Sequence, residues 1–178
     1  MKKYLLSLPV LLFPYLVLAA LVCLYTGFLM EEIFQSNGFL LIGAVLLCAV
    51  AAAGFAAVVC GCALAKRTSG QEMARLNMVI KLCQIPAYLI IFALGLFCLI
   101  SIWGILLTLI LAAVDCFTIA MTGLIGSVSA FRSYRERKLA KGAAVRAAIC
   151  QFIFCVDVFA CVKLYLDARK APACGQAS

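Results

Sequence analysis

The sequence predicts an all-α integral membrane helical bundle, and three features carry that prediction. Hydrophobic residues make up 67% of the chain and its mean hydropathy is +1.19, whereas a soluble domain is about half apolar. Charged residues are only 12% of the 178. The apolar runs are longer than about 18 residues and do not alternate with period two, so they read as spanning helices rather than barrel strands. Together the runs leave no extramembrane stretch long enough to fold alone. The chain is therefore read as one membrane domain of about five spans, at 4–28, 38–65, 77–100, 105–131 and 147–166.

The first span starts after Met1-Lys2-Lys3. The run that follows is too long for the h-region of a signal peptide, and no small-residue cleavage site precedes a soluble domain. Pro9 and Pro14 should bend this helix, which lipid tolerates where neighbours cover the freed carbonyls. Met30 to Asn37 reads as a short loop carrying Glu31 and Glu32. The second span is rich in small residues. Ala53, Ala57 and Gly61 make a small-xxx-small ridge, which places this helix centrally or on a homomeric contact. Lys66-Arg67 closes it.

The third helix begins outside lipid. Ser69 and Glu72 form a capping box, and 69–81 reads as an amphipathic helix start. Met73, Leu76, Ile80 and Cys83 make an apolar stripe, while Asn77, Lys81, Gln84 and Tyr88 line another face at spacings of four, three and four. Pro86 should kink the helix. Ser101 to Gly104 is a tight connection with an interfacial Trp103. The fourth span carries Asp115. Thr108, Asp115, Thr122 and Ser129 repeat every seven residues, with Thr118 one turn from Asp115. The fifth run, 147–166, is interrupted by Gln151, Asp157 and Lys163. It either spans or lies along the inner leaflet as an interfacial helix.

Basic residues set the orientation. With the N-terminus in the cytoplasm, 12 of the 15 Lys and Arg are cytoplasmic, and only Lys163, Arg169 and Lys170 fall outside. Tyr4 and Tyr134 then mark the inner interface, and Tyr25, Trp103 and Tyr165 the outer one. The net charge of +8 is a topology signal, since the cations sit at the ends of apolar runs; nucleic acid is excluded as a partner. The segment 132–146 holds six basic residues and one acidic. Arg132, Arg135, Arg137, Lys138 and Lys141 are candidates for binding anionic headgroups on the cytoplasmic side.

Eleven cysteines, no histidine and no CxxC argue against a disulfide framework or a metal site. The cysteines read as soft apolar filler. No HExxH, GxSxG, phosphate-binding loop or dinucleotide fingerprint is present, so no catalytic residues and no cofactor are expected. Asp115 and Asp157 each lie about 17 or 18 Å inside the bilayer by helical rise. Each should face the bundle interior, and Asp115 is expected to be neutral. Tyr88 lies at a depth where it can hydrogen-bond Asp115. Lys81 is expected to snorkel to the headgroups, which leaves both acids without a basic partner.

At Asn77-Met78-Val79-Ile80-Lys81, Ile85-Pro86-Ala87-Tyr88 and Gln151-Phe152-Ile153-Phe154-Cys155-Val156-Asp157 the chain resembles small multi-span membrane proteins of gut-type Firmicutes, which have no assigned activity. The resemblance implies a bacterial plasma-membrane protein and places Lys81, Tyr88, Asp115 and Asp157 first among positions to test. Two functions follow as expectations. One is a non-catalytic protein acting by helix association, with itself or another membrane protein. The other is a small transporter or ion conductor using Asp115 and its polar neighbours.

Overall fold

The computed structural model describes residues 2–35, 37–65, 68–100, 104–153 and 156–170. Among them are seven helices: α1 (Lys2–Tyr25), α2 (Gly27–Phe34), α3 (Gly38–Leu64), α4 (Gly70–Cys98), α5 (Gly104–Arg135), α6 (Lys141–Cys150) and α7 (Val156–Lys170). Four of these, α1, α3, α4 and α5, are long and apolar enough to cross a membrane. The helical membrane bundle is thus as the sequence predicts. The expectations placed on Lys66, Arg67, Trp103 and Cys155 lie outside the described residues.

The core explains the order of the bundle. Val10, Phe13 and Val17 of α1 meet Ala52, Ala56, Val59 and Ala63 of α3, Met73, Leu76 and Ile80 of α4, and Met121 and Ile125 of α5. Small side chains on α3 let α1 approach closely, which is how helices gain packing energy in lipid. Phe13 and Phe117 add an edge-on ring pair at 5.5 Å. The helix at the centre is α4, with 39% of its most apolar window buried, against 17% for α3. The reason is that α4 buries two faces: the stripe of Met73, Leu76 and Ile80, and the polar stripe of Asn77, Lys81, Gln84 and Tyr88. Cys83, predicted in the apolar stripe, is exposed.

On α3 the packing ridge is Ala52, Ala56, Val59 and Ala63. The predicted ridge lies one residue further on. Ala53 is half-buried, while Ala57 and Gly61 are exposed and face away from the core. The helix is therefore peripheral. The predicted loop at 30–37 is largely helical: α2 fills Gly27–Phe34, and Asn37 caps α3 by accepting from the Phe39 N–H at 3.0 Å.

Pro14 and Pro86 each have a polar side chain bonded to a carbonyl of the preceding turn. Pro14 has no N–H to offer the carbonyl four residues earlier, Val10. The Gln84 side-chain amide donates to that oxygen at 2.8 Å. Pro86 lies inside α4, and the Tyr15 hydroxyl donates to the nearby Cys83 carbonyl.

The fifth apolar run departs most from expectation. It is not one helix. α6 ends at Cys150, residues 151–153 form a turn, and α7 starts at Val156. α6 packs on α5 and α7 on α4. Ser127 of α5 lies beside Ala148, and Gly123 and Gly126 lie beside Phe152 and Gln151. On the way back, Leu164 packs with Ala74 and Ala130. The run therefore enters from the end where α4 begins and α5 ends, turns inside the bundle and returns to the same end. It is a re-entrant hairpin, neither a span nor an interfacial helix. Lys163, Arg169 and Lys170, expected on the opposite side, join the other cations at this end. Tyr165, expected at the opposite interface, packs against the Ala74–Ala130–Leu164 cluster.

Candidate functional site

The site forms where the hairpin tip meets the polar face of α4. Helical spacing alone puts Asn77, Lys81, Gln84 and Tyr88 on one face, and all four are buried. α5 makes room opposite them. A Cβ on Gly126 would lie 2.5 Å from Gln151 Oε1 and 2.8 Å from Asn77 Nδ2, and one on Gly123 would lie 2.9 Å from the Phe152 ring. A side chain at either position would have to displace Gln151 or Phe152, so the two glycines let the hairpin tip lie close against α5.

Lys81 is the centre. Its side chain is 0% exposed. Nζ lies 2.8 Å from Asp157 Oδ2 and donates to the Gln151 carbonyl at 3.3 Å. That carbonyl belongs to the turn that follows α6. Lys81 thus satisfies both a carboxylate and a chain break. The expected snorkelling does not occur, because 11 residues beyond the α4 start, about 17 Å by helical rise, Lys81 bonds an acid and a turn carbonyl inside the bundle. Asp157 likewise has its basic partner.

Around this pair the polar groups form a column. Asn77 Nδ2 donates to Gln151 Oε1 at 3.1 Å, and Tyr88 donates to Gln84 Oε1 at 3.4 Å. Asn77 Oδ1 and Gln151 Nε2 are buried without a hydrogen-bond partner among the described residues. So is Asp115 Oδ1. The predicted bond from Tyr88 to Asp115 is replaced by the one to Gln84. Thr118 and Thr122 are fully buried, yet their hydroxyls donate back to the α5 carbonyls of Val114 and Thr118. Ser129 donates to the Gly70 carbonyl, joining α5 to α4.

The basic segment divides in two. Arg132 is buried, and its guanidinium bonds the Thr68 carbonyl at 3.3 Å and Glu136 Oε1 at 3.1 Å. Lys138 lies 3.1 Å from Glu136 Oε2. Glu136 also accepts from the Gly70 N–H at 2.9 Å, so it caps α4 together with Ser69, which accepts from Glu72 N–H. Arg132 and Lys138 are therefore tied into the junction of α4 and α5. Arg135, Arg137 and Lys141 stay exposed, with Arg135 over the Phe131 ring at 5.9 Å.

Sequence reasoning missed Gln151, Gly123 and Gly126 as site residues. The signal was present: a Gln and an Asp six residues apart in an apolar run, and a pair of glycines three apart in a neighbouring span. Among the described residues no group of three or more metal-ligating side chains forms, and none of the nine described cysteines is in a disulfide.

Fold and site define a multi-pass helical membrane protein with a re-entrant hairpin docked through an intramembrane ion pair. The chain belongs to a family of unknown function, DUF6652, whose model matches residues 1–170. No curated protein and no solved structure matches it.

Proposed function

We propose that this is a small, non-catalytic transporter or ion conductor of a bacterial plasma membrane, with its N-terminus in the cytoplasm, and that protons or another small ion pass along the polar column. One observation carries the reading: the buried Lys81–Asp157 pair at the hairpin tip. A buried ion pair is a poor source of stability, since desolvation offsets its attraction. Ionisable residues within membrane helices mark ion and proton paths more often than scaffolds. Broken helices at membrane depth are tolerated where they are buried in protein or line a path. The orphaned atoms of Asn77, Gln151 and Asp115 extend the column on both sides of the pair, and buried polar atoms without partners are uncommon. The cations at one end of the bundle support the cytoplasmic orientation.

The test is flux in proteoliposomes under an imposed membrane potential, read by an internal pH dye and by cation-sensitive dyes. Wild type is expected to collapse a gradient. Lys81→Met/Asp157→Leu removes both charges together and is expected to fold yet carry no flux. Silence of the wild type, or undiminished flux in the double variant, contradicts the reading.

A second reading, association through α3, is favoured by a separate observation. Gly54, Ala57 and Gly61 are exposed, and a Cβ on either glycine would meet nothing within 4 Å. This open face suits a second copy or another membrane protein. Light scattering of the purified protein tests it: Gly61→Leu should convert a dimer to a monomer, and a monomeric wild type removes the reading.

A further inference from the structure

The outward flank of the α6–α7 hairpin holds a cleft of about 500 Å³ between its two arms. It shares no residue with the polar column. Its deep end is apolar: Cys150, Val156 and Phe159 meet there, and Phe159 is 77% exposed on the flank that faces lipid. Nearer the mouth, Arg146 on α6 and Lys163 on α7 line opposite walls. Both are exposed, and neither is in an ion pair among the described residues. By helical rise they stand about 6 Å and about 10 Å from the tip. Asp167 lies one turn beyond Lys163, closest to the mouth.

The cleft is apolar along its length, and its polar groups, two cations and then a hydrogen-bond acceptor, lie towards the mouth, an arrangement that suits an acyl chain with an anionic headgroup. We propose that the cleft binds an anionic phospholipid of the basic-end leaflet, with an acyl chain against Cys150, Val156 and Phe159 and the phosphate between Arg146 and Lys163. Asp167 then accepts from a hydroxyl-bearing headgroup such as glycerol. The cleft differs from the exposed cations of 132–141 in having an apolar floor, so it holds a chain as well as a charge. The inference does not rest on ion transport.

Native mass spectrometry of the detergent-solubilised protein tests it with phosphatidylglycerol and phosphatidylcholine as probes. Wild type should retain one phosphatidylglycerol in preference to phosphatidylcholine. Each cation near an anionic lipid surface contributes about a factor of five, so Arg146→Gln/Lys163→Gln should weaken retention by about 25-fold. Ala160→Trp keeps both cations but fills the cleft, and should also lose the lipid. Excess glycerol 3-phosphate should leave the lipid bound, because it has no chain. Equal retention of the two lipids, no effect of the double variant, retention in Ala160→Trp, or displacement by glycerol 3-phosphate would each overturn the proposal.

Discussion

At the scale of single residues, two buried polar side chains bond backbone carbonyls of other elements. Lys81 bonds the carbonyl at the break after α6 and neutralises Asp157; Gln84 bonds the carbonyl that Pro14 leaves free. Lys81→Met strands a buried carboxylate and is expected to destabilise the protein by about 3–5 kcal/mol, whereas Lys81→Met/Asp157→Leu should recover most of that loss. Thermal unfolding in detergent decides it, and equal losses in both variants would contradict the pairing. Gln84→Leu orphans the Val10 carbonyl, at about 1–3 kcal/mol. Adding Pro14→Ala restores an N–H for that carbonyl, so the double variant should be more stable than Gln84→Leu alone. The polar face of α4 was legible because its spacing is helical. Its partners were not: Asp157 is 76 residues away in sequence, and periodicity carries no information about which faces meet.

At the scale of elements, the informative case is the run 147–166. Its length and hydropathy fit a span, and its break is encoded by no proline or glycine within it. What divides it is tertiary: Gly123 and Gly126 open a space on α5, and Lys81 satisfies the turn carbonyl. Gly126→Ala places a methyl 2.5 Å from Gln151 Oε1 and should cost about 1–3 kcal/mol by overpacking. Gly54→Ala meets nothing within 4 Å and should be neutral or stabilising, by up to about 1 kcal/mol. Comparison of their unfolding temperatures tests whether the hairpin tip is docked there. The end of α5 offers an independent case. Lys138 N–H bonds the Ser133 carbonyl and Arg137 N–H the Tyr134 carbonyl, both at 2.9 Å, with Arg137 at φ 56°. This is a Schellman motif with Arg where glycine is usual. Arg137→Gly should stabilise the fold by about 1 kcal/mol by relieving the left-handed strain, read as a rise in melting temperature.

At the scale of the whole molecule, hydropathy alone sufficed for the class of fold, because lipid requires long apolar helices. It did not suffice for topology, since a re-entrant hairpin and a span have the same composition. The hairpin changes the end of the bundle at which α7 finishes. With four crossing helices and a fifth run that turns back, Lys170 belongs to the end where α4 begins, and Lys163, Arg169 and Lys170 strengthen rather than oppose the charge bias. The return is also what brings Asp157 to Lys81, so ion pair and topology stand together. Reporter fusions after Ala65, Leu99, Arg135 and Lys170 test this directly. The fold predicts that the Lys170 fusion reports the same side as Ala65 and Arg135, and the opposite side from Leu99. A Lys170 reporter on the Leu99 side would mean that the fifth run crosses the membrane, and would contradict the hairpin and the Lys81–Asp157 pairing it creates.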